Sequence, residues 1–178
     1  MLTAVGLGPG DAELLTLRAV RLLSEADTVF VPGGIAQDLV KPYAKKIVAL
    51  EFPMTRDEEV ITACMERNAE KIVPVAKNGK AVFGLIGDPN FYSTFSRLAE
   101  MVRARYPGLE VTTVPGISSI TAVASHAEIP VNGAFLVTDG PDVPATKILM
   151  KVTHPREKAE MLKTEGYNDF IVVERMYM

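Results

Sequence analysis

The sequence predicts an α/β fold with parallel strands, divided into two small α/β domains. Two observations carry this. From Thr3 to Val114, strand-sized apolar runs alternate with helical patterns and end on glycine or proline, the signature of a layered parallel sheet. Beyond Pro115 the pattern thins to about three short strands, close to the lower limit for burying a sheet face. A boundary is therefore expected near Val114–Ile117, with residues 1–114 forming an N-terminal domain and 115–178 a shortened C-terminal one.

The elements follow in order. A short apolar strand feeds TAVGLGPGD (Thr3–Asp11), whose turn carries Gly6, Gly8, Pro9 and Gly10. A helix is predicted over Leu15–Ala26, with Asp11 and Thr16 as the two N-cap candidates, because their oxygens can accept from the open N–H groups of a first turn. Asp27–Val31 reads as a buried strand ended by Pro32-Gly33-Gly34. A helix over about Ile35–Lys46 is kinked or ended by Pro42, and Ile47–Leu50 is a further strand. Asp57 to about Lys77 is a long helix closed by Asn78-Gly79. Lys80–Ile86 is a strand running into GDPNFYST (Gly87–Thr94), Phe95–Tyr106 a helix, and Leu109–Val114 a strand stopping at Pro115-Gly116. In the second domain the expected elements are a helix over Ile117–Ala127, a weak strand over Gly133–Val137, a strand over Lys147–Val152, a helix over Pro155–Glu165 and a last strand over Asp169–Glu174.

Composition narrows the function classes. With 19 basic against 22 acidic residues in 178, the net charge of −3 leaves no footprint for nucleic acid. One cysteine excludes a disulfide framework and a multi-cysteine zinc or iron–sulfur site, and two histidines argue against a His-rich metal site, so no metal is expected. No apolar run reaches the roughly 20 residues of a membrane span, and no basic n-region or cleavage site marks a signal peptide. The expectation is a soluble, cytoplasmic protein that touches neither nucleic acid nor membrane.

Three loops draw attention. GLGPG misses the dinucleotide fingerprint, since the third glycine of G-x-G-x-x-G would fall on Asp11, whose carboxylate would face a pyrophosphate. Gly87 follows a buried strand, so GDPNFYST lies where α/β proteins usually bind ligands. Asp88 there can accept from a cationic or hydroxylated ligand, with Phe91 and Tyr92 as flat apolar faces; equally, Asp88 can close an Asx-turn on its own backbone. VPGISS (Val114–Ser119) places Ser118 and Ser119 at a helix start, either as caps or beside open N–H groups able to hold polar ligand atoms. Cys64, inside a helix, reads as a small packed side chain, and His126 and His154 as capping or surface residues.

Taken in this order, GLGPGD-AELLTLRAVRLLSEADTVFVPG, GDPNFYST and VPGISS with its trailing IPV resemble the tetrapyrrole methylase family, which uses S-adenosylmethionine in cobalamin and sirohaem biosynthesis. FVPG, PMTRD (Pro53–Asp57), FYSTF (Phe91–Phe95) and LMKV (Leu149–Val152) look most like the branch that methylates precorrin-2 or cobalt-precorrin-2 at C-20. The resemblance implies two α/β domains of tetrapyrrole methylase type with the ligand cleft between them, usually as a homodimer. Carried over by motif, it implies cofactor contacts at Pro9, Ile86, Gly87, Asp88, Phe91, Ser118, Ser119 and Met150. From Ile129 to Met150 the chain is shorter than the family pattern, and it stops where the family continues past Val173-Glu174-Arg175, so the second domain is expected to be truncated.

The reaction so implied is methyl transfer to a meso carbon of a reduced tetrapyrrole, which needs no protein nucleophile and no metal. Such a substrate carries many carboxylates, and Arg56 in PMTRD is the first candidate to meet one, though it can equally be a surface arginine beside a helix-capping Asp57. Tyr92 is a further loop candidate. Two other readings stand beside this one: a non-catalytic relative that binds S-adenosylmethionine or a tetrapyrrole, and a methylase acting at another corrin position. A homodimer is expected, because a thin second sheet leaves an edge that a partner would cover.

Overall fold

In a computed structural model of the chain, the described residues are 1–133, 135–137, 147–149 and 152–174. They fall into two compact units, one covering Met1–Ser119 and one beginning at Ile120.

The first unit is built on five strands: β1 (Leu2–Gly6), β2 (Thr28–Val31), β3 (Ile47–Ala49), β4 (Ala81–Leu85) and β5 (Val111–Val114). All pair in parallel, in the order β3-β2-β4-β1-β5. Leu2 lies opposite Ala81 on one side and Val111 on the other, so β1 and β4 form the centre of the sheet. Every residue of β1, β2 and β4 is buried, as expected of strands covered on both faces.

Between the strands run α1 (Leu17–Glu25), α2 (Gly34–Val40), α3 (Glu58–Asn78) and α4 (Phe95–Arg105). The period-2 alternation of the strands divides the core. Leu2, Ala4, Phe30, Phe83 and Leu85 face α3 and α4, packing on Ile72, Phe95 and Leu98. Val5, Val29, Val31 and Val82 face α1 and α2, packing on Leu23, Ala36 and Val40. Helices α3 and α4 run side by side, joined by ion pairs of Arg97 with Glu58 and Arg105 with Glu66.

Both N-cap candidates are used. Asp11 accepts from Glu13 N and caps a short 3-10 turn, Ala12–Leu14, while Thr16 accepts from Ala19 N and caps α1. The second helix stops at Val40, short of the predicted Lys46, because Pro42 has no N–H with which to continue the ladder. Asp57 caps α3 through bonds to Glu59 N and Val60 N; the helix runs through Pro74 and ends at Asn78.

The second unit is slight. Helix α5 (Ser119–His126) leads into it from the last residue of the first unit. Two short parallel strands, β6 (Leu136–Val137) and β7 (Lys147–Ile148), pair with each other, and α6 (Pro155–Thr164) buries Leu162. The ammonium of Lys147, itself almost fully buried, pairs with Glu165 at 2.7 Å and lies 5.3 Å from the centre of the Tyr167 ring. The strand expected over Asp169–Glu174 does not form. It pairs with none of the strands of either sheet, and Ile171 and Val172 are exposed. Of the strands expected at Gly133–Val137 and Lys147–Val152, the described residues form Leu136–Val137 and Lys147–Ile148, and residues 134, 150 and 151 lie outside the described residues. No helix among the described residues is long and apolar enough to cross a membrane.

Candidate functional site

Because all five strands are parallel, their carboxyl ends lie on one edge of the sheet. The chain leaves β1 toward α1 on one face and leaves the neighbouring β4 toward α4 on the other. Adjacent strands whose connections part in this way open a crevice at their carboxyl ends, the usual ligand site of an open α/β sheet.

Three loops meet there. Leu7 N donates to Leu85 O at 2.8 Å, and Gly87 N donates to Gly8 O at 2.7 Å, so the backbone after β1 is stitched to the backbone after β4. Pro9, in the first of these loops, is buried beside that stitch. The third loop, Pro115–Ser118, is held by Asp88. One carboxylate oxygen of Asp88 accepts from Asn90 N at 2.8 Å and the other from Gly116 N at 3.1 Å. Asn90 in turn donates its side-chain amide to Thr113 Oγ1 at 3.3 Å. Asp88 is 8% exposed, and both its oxygens serve backbone N–H groups.

Glycine is required at the meeting point for space. A Cβ on Gly6 would come within 2.5 Å of Gly116 N and of Gly87 O, and a Cβ on Gly116 would collide with Gly87 O. Gly87 is different: its φ is +77°, which a side chain strains to adopt, and a Cβ there would meet nothing within 4 Å. Its backbone therefore faces open space.

Around that space the loop presents apolar groups to solvent. Ile86 is half-exposed, and Phe91 and Tyr92 are each 58% exposed, Tyr92 with a φ of +49°. Ser118 and Ser119 follow Gly116 on the third loop, Ser119 as the first residue of α5. The structure thus gathers Pro9, Ile86, Gly87, Asp88, Phe91, Tyr92, Ser118 and Ser119 on three adjoining loops. Arg56 stands apart, exposed on the segment after the edge strand β3, with no ion pair among the described residues. Met150 lies outside the described residues.

A family model described as Tetrapyrrole (Corrin/Porphyrin) Methylases matches residues 1–175. The chain belongs to this family. Among curated relatives of this tetrapyrrole methylase, a protein of Methanocaldococcus jannaschii named "Probable cobalt-precorrin-2 C(20)-methyltransferase" is 36% identical, over 94% of this chain and 78% of its own length. The "Cobalt-precorrin-2 C(20)-methyltransferase" of Salmonella typhimurium is 30% identical over 72% of this chain and 57% of its own. A solved structure of a cobalamin synthesis related protein (CobF) from Corynebacterium diphtheriae aligns with a TM-score of 0.59 at 24% identity, covering 77% of this chain and 62% of that one; it speaks for the fold alone. The chain thus spans roughly three fifths of the second and third of these proteins.

S-adenosylmethionine, the methyl donor that tetrapyrrole methylases use, fits this crevice on one structural ground. The open space over Gly87 lets ligand atoms approach backbone, and Ile86 and Phe91 on the same loop expose apolar surface. Two site features escape sequence reasoning. One is the Asp88–Gly116 tie, which joins residues 28 apart in sequence. The other is Asn90, whose partner Thr113 sits on another strand. The Asx-turn from Asp88 to Asn90 is the local half of that network, and the D-P-N spacing is its visible sign.

Proposed function

We propose that this tetrapyrrole methylase transfers a methyl group from S-adenosylmethionine to the C-20 meso carbon of precorrin-2 or cobalt-precorrin-2. The observation that carries the reading is the set of three stitched loops at the carboxyl ends of β4, β1 and β5, leaving an open, apolar-flanked backbone at Gly87. The C-20 names of two relatives support the ring position.

In this reading Pro9, Ile86, Gly87, Asp88, Phe91, Ser118 and Ser119 hold the cofactor, with Met150 as a contact carried over by motif. When bound, the cofactor supplies a sulfonium-activated methyl group. The residues of this chain have the remaining tasks. Ile86 and Phe91 cover the site from water. Asp88 fixes the spacing of the second and third loops, so Ser118 and Ser119 stand at a set distance from Gly87. Arg56 meets a substrate carboxylate, a charge-assisted bond worth about 1.5 to 3 kcal/mol where desolvated and less at an exposed site. Fixed loops matter because transfer demands near-contact geometry, roughly 3 to 3.5 Å and in line. We place the enzyme in the cytoplasm as a homodimer, for which light scattering at micromolar concentration should give twice the mass of one chain.

Calorimetry with S-adenosylmethionine, followed by a methyl-transfer assay on precorrin-2 with and without cobalt, tests the proposal. Saturable cofactor binding and a methyl group found at C-20 are the expected results. Binding without transfer identifies a non-catalytic relative, and a methyl group elsewhere on the ring identifies a methylase of another position.

A further inference from the structure

A second opening lies along the same edge of the sheet, on the β2–β3 side. Pro32 after β2, Leu50–Pro53 after β3, and Val60, Cys64 and Arg67 on α3 line an open cavity of about 390 Å3. That is near the lower end of ligand-pocket volumes, room for a substituent and the ring edge that bears it. The three helix residues stand three or four positions apart and so share one face of α3.

The walls are held firmly. The Cys64 thiol donates to Glu51 O at 2.9 Å, and the Asn68 amide donates to the same oxygen at 2.8 Å, tying the segment after β3 to α3. Phe52 meets Phe83 of β4 edge-on at 5.7 Å, and Phe83 stacks on Phe95 at 5.5 Å, just past the loop that carries Asp88. The cavity and the crevice over Gly87 are therefore braced by one aromatic row.

Charge gives the cavity its chemistry. On α3, Glu58 and Glu66 are taken by Arg97 and Arg105. Among the described residues Arg67 makes neither an ion pair nor a hydrogen bond. An unengaged guanidinium on a long helix, beside Leu50, Phe52 and Val60, suits a carboxylate carried on a short apolar stem. Glu51 also lines the cavity and opposes an anion there.

We infer that this cavity receives one carboxylate-bearing side arm of the tetrapyrrole, with Arg67 binding the carboxylate and Glu51 weakening and thereby tuning that contact. The inference rests on the function proposed above in taking the ligand to be a tetrapyrrole.

Uroporphyrin, a stable carboxylate-rich porphyrin, serves as the probe, its fluorescence titrated against the full chain while S-adenosylmethionine binding is measured by calorimetry on the same samples. Arg67→Ala should weaken uroporphyrin binding about two- to fivefold, the effect of an exposed charge-assisted bond, with cofactor affinity unchanged. Arg67→Lys should recover part of the loss, and Glu51→Gln should tighten binding about twofold through relief of like-charge repulsion. Equal uroporphyrin affinity in wild type and Arg67→Ala overturns the inference, as does weaker binding in Glu51→Gln. A wild-type chain that binds S-adenosylmethionine but no uroporphyrin overturns it too. Failure of S-adenosylmethionine to bind, with the Arg67 effect intact, instead sinks the proposed cofactor site and leaves the carboxylate subsite standing.

Discussion

Replacing Gly116 by alanine puts one methyl group into the junction of the three loops. The new Cβ would lie 2.6 Å from Gly6 C and 2.7 Å from Gly6 Cα, and closer still to Gly87 O. These are backbone atoms of two other segments, so no side chain can swing aside. Ordinary contact begins at 3.4 Å, and the loop must therefore retreat by about 1 Å. Overpacking of this kind costs about 1 to 3 kcal/mol. The retreat also stretches the 3.1 Å bond from Gly116 N to Asp88, worth about 0.5 to 1.5 kcal/mol. Against this, alanine restricts the unfolded chain and returns about 0.4 to 1 kcal/mol. The net expectation is a loss of about 2 kcal/mol. Urea unfolding measures it, with Gly108→Ala as the control, since a Cβ at Gly108 meets nothing within 4 Å. The control should be neutral or slightly stabilised. If Gly116→Ala unfolds at the same urea concentration as Gly108→Ala, the close-packed junction is not what holds the loops.

Other outcomes follow from the same structure. Asp88→Ala removes the acceptor for two backbone N–H groups and should cost about 2 to 4 kcal/mol as well as weakening S-adenosylmethionine binding, whereas Asp88→Asn keeps one acceptor and should lose roughly half; paired urea and calorimetric titrations separate the two effects. Phe83→Ala empties the fully buried centre of the aromatic row between Phe52 and Phe95 and should cost about 3 to 5 kcal/mol in the same unfolding assay. Glu25 has its carboxyl held below the ordinary value of 4.5, first by the hydrogen bond from Lys80 and then by that ammonium's charge. A lowered carboxyl contributes stability that is present above 4.5 and fades as pH falls through the lowered value. Lys80→Ala should therefore raise the Glu25 titration midpoint toward 4.5, read by carboxyl NMR, with only a small change in stability because the pair is exposed.

The first unit was legible in the sequence because its signals are local. Apolar runs of strand length, Pro42, the Asn78-Gly79 stop and the capping oxygens of Asp11, Thr16 and Asp57 each act within a few residues of where they stand. The order GLGPGD, GDPNFYST, VPGISS was enough to suggest the family. The sequence did not determine which strands would be neighbours. That β1 lies between β4 and β5, bringing Gly6, Gly87 and Gly116 into backbone contact, is a matter of long-range pairing, and the reason for glycine at positions 6 and 116 exists only once it has happened. Asp88 shows the division within one residue: its bond to Asn90 N is local and was foreseeable, while its bond to Gly116 N depends on β5 lying two strands away from β4. Asp169–Glu174 failed as a strand for the same reason in reverse. Its apolar residues promise extended backbone, but a strand is completed by a partner's N–H and C=O groups, and where partners lie is decided by tertiary structure.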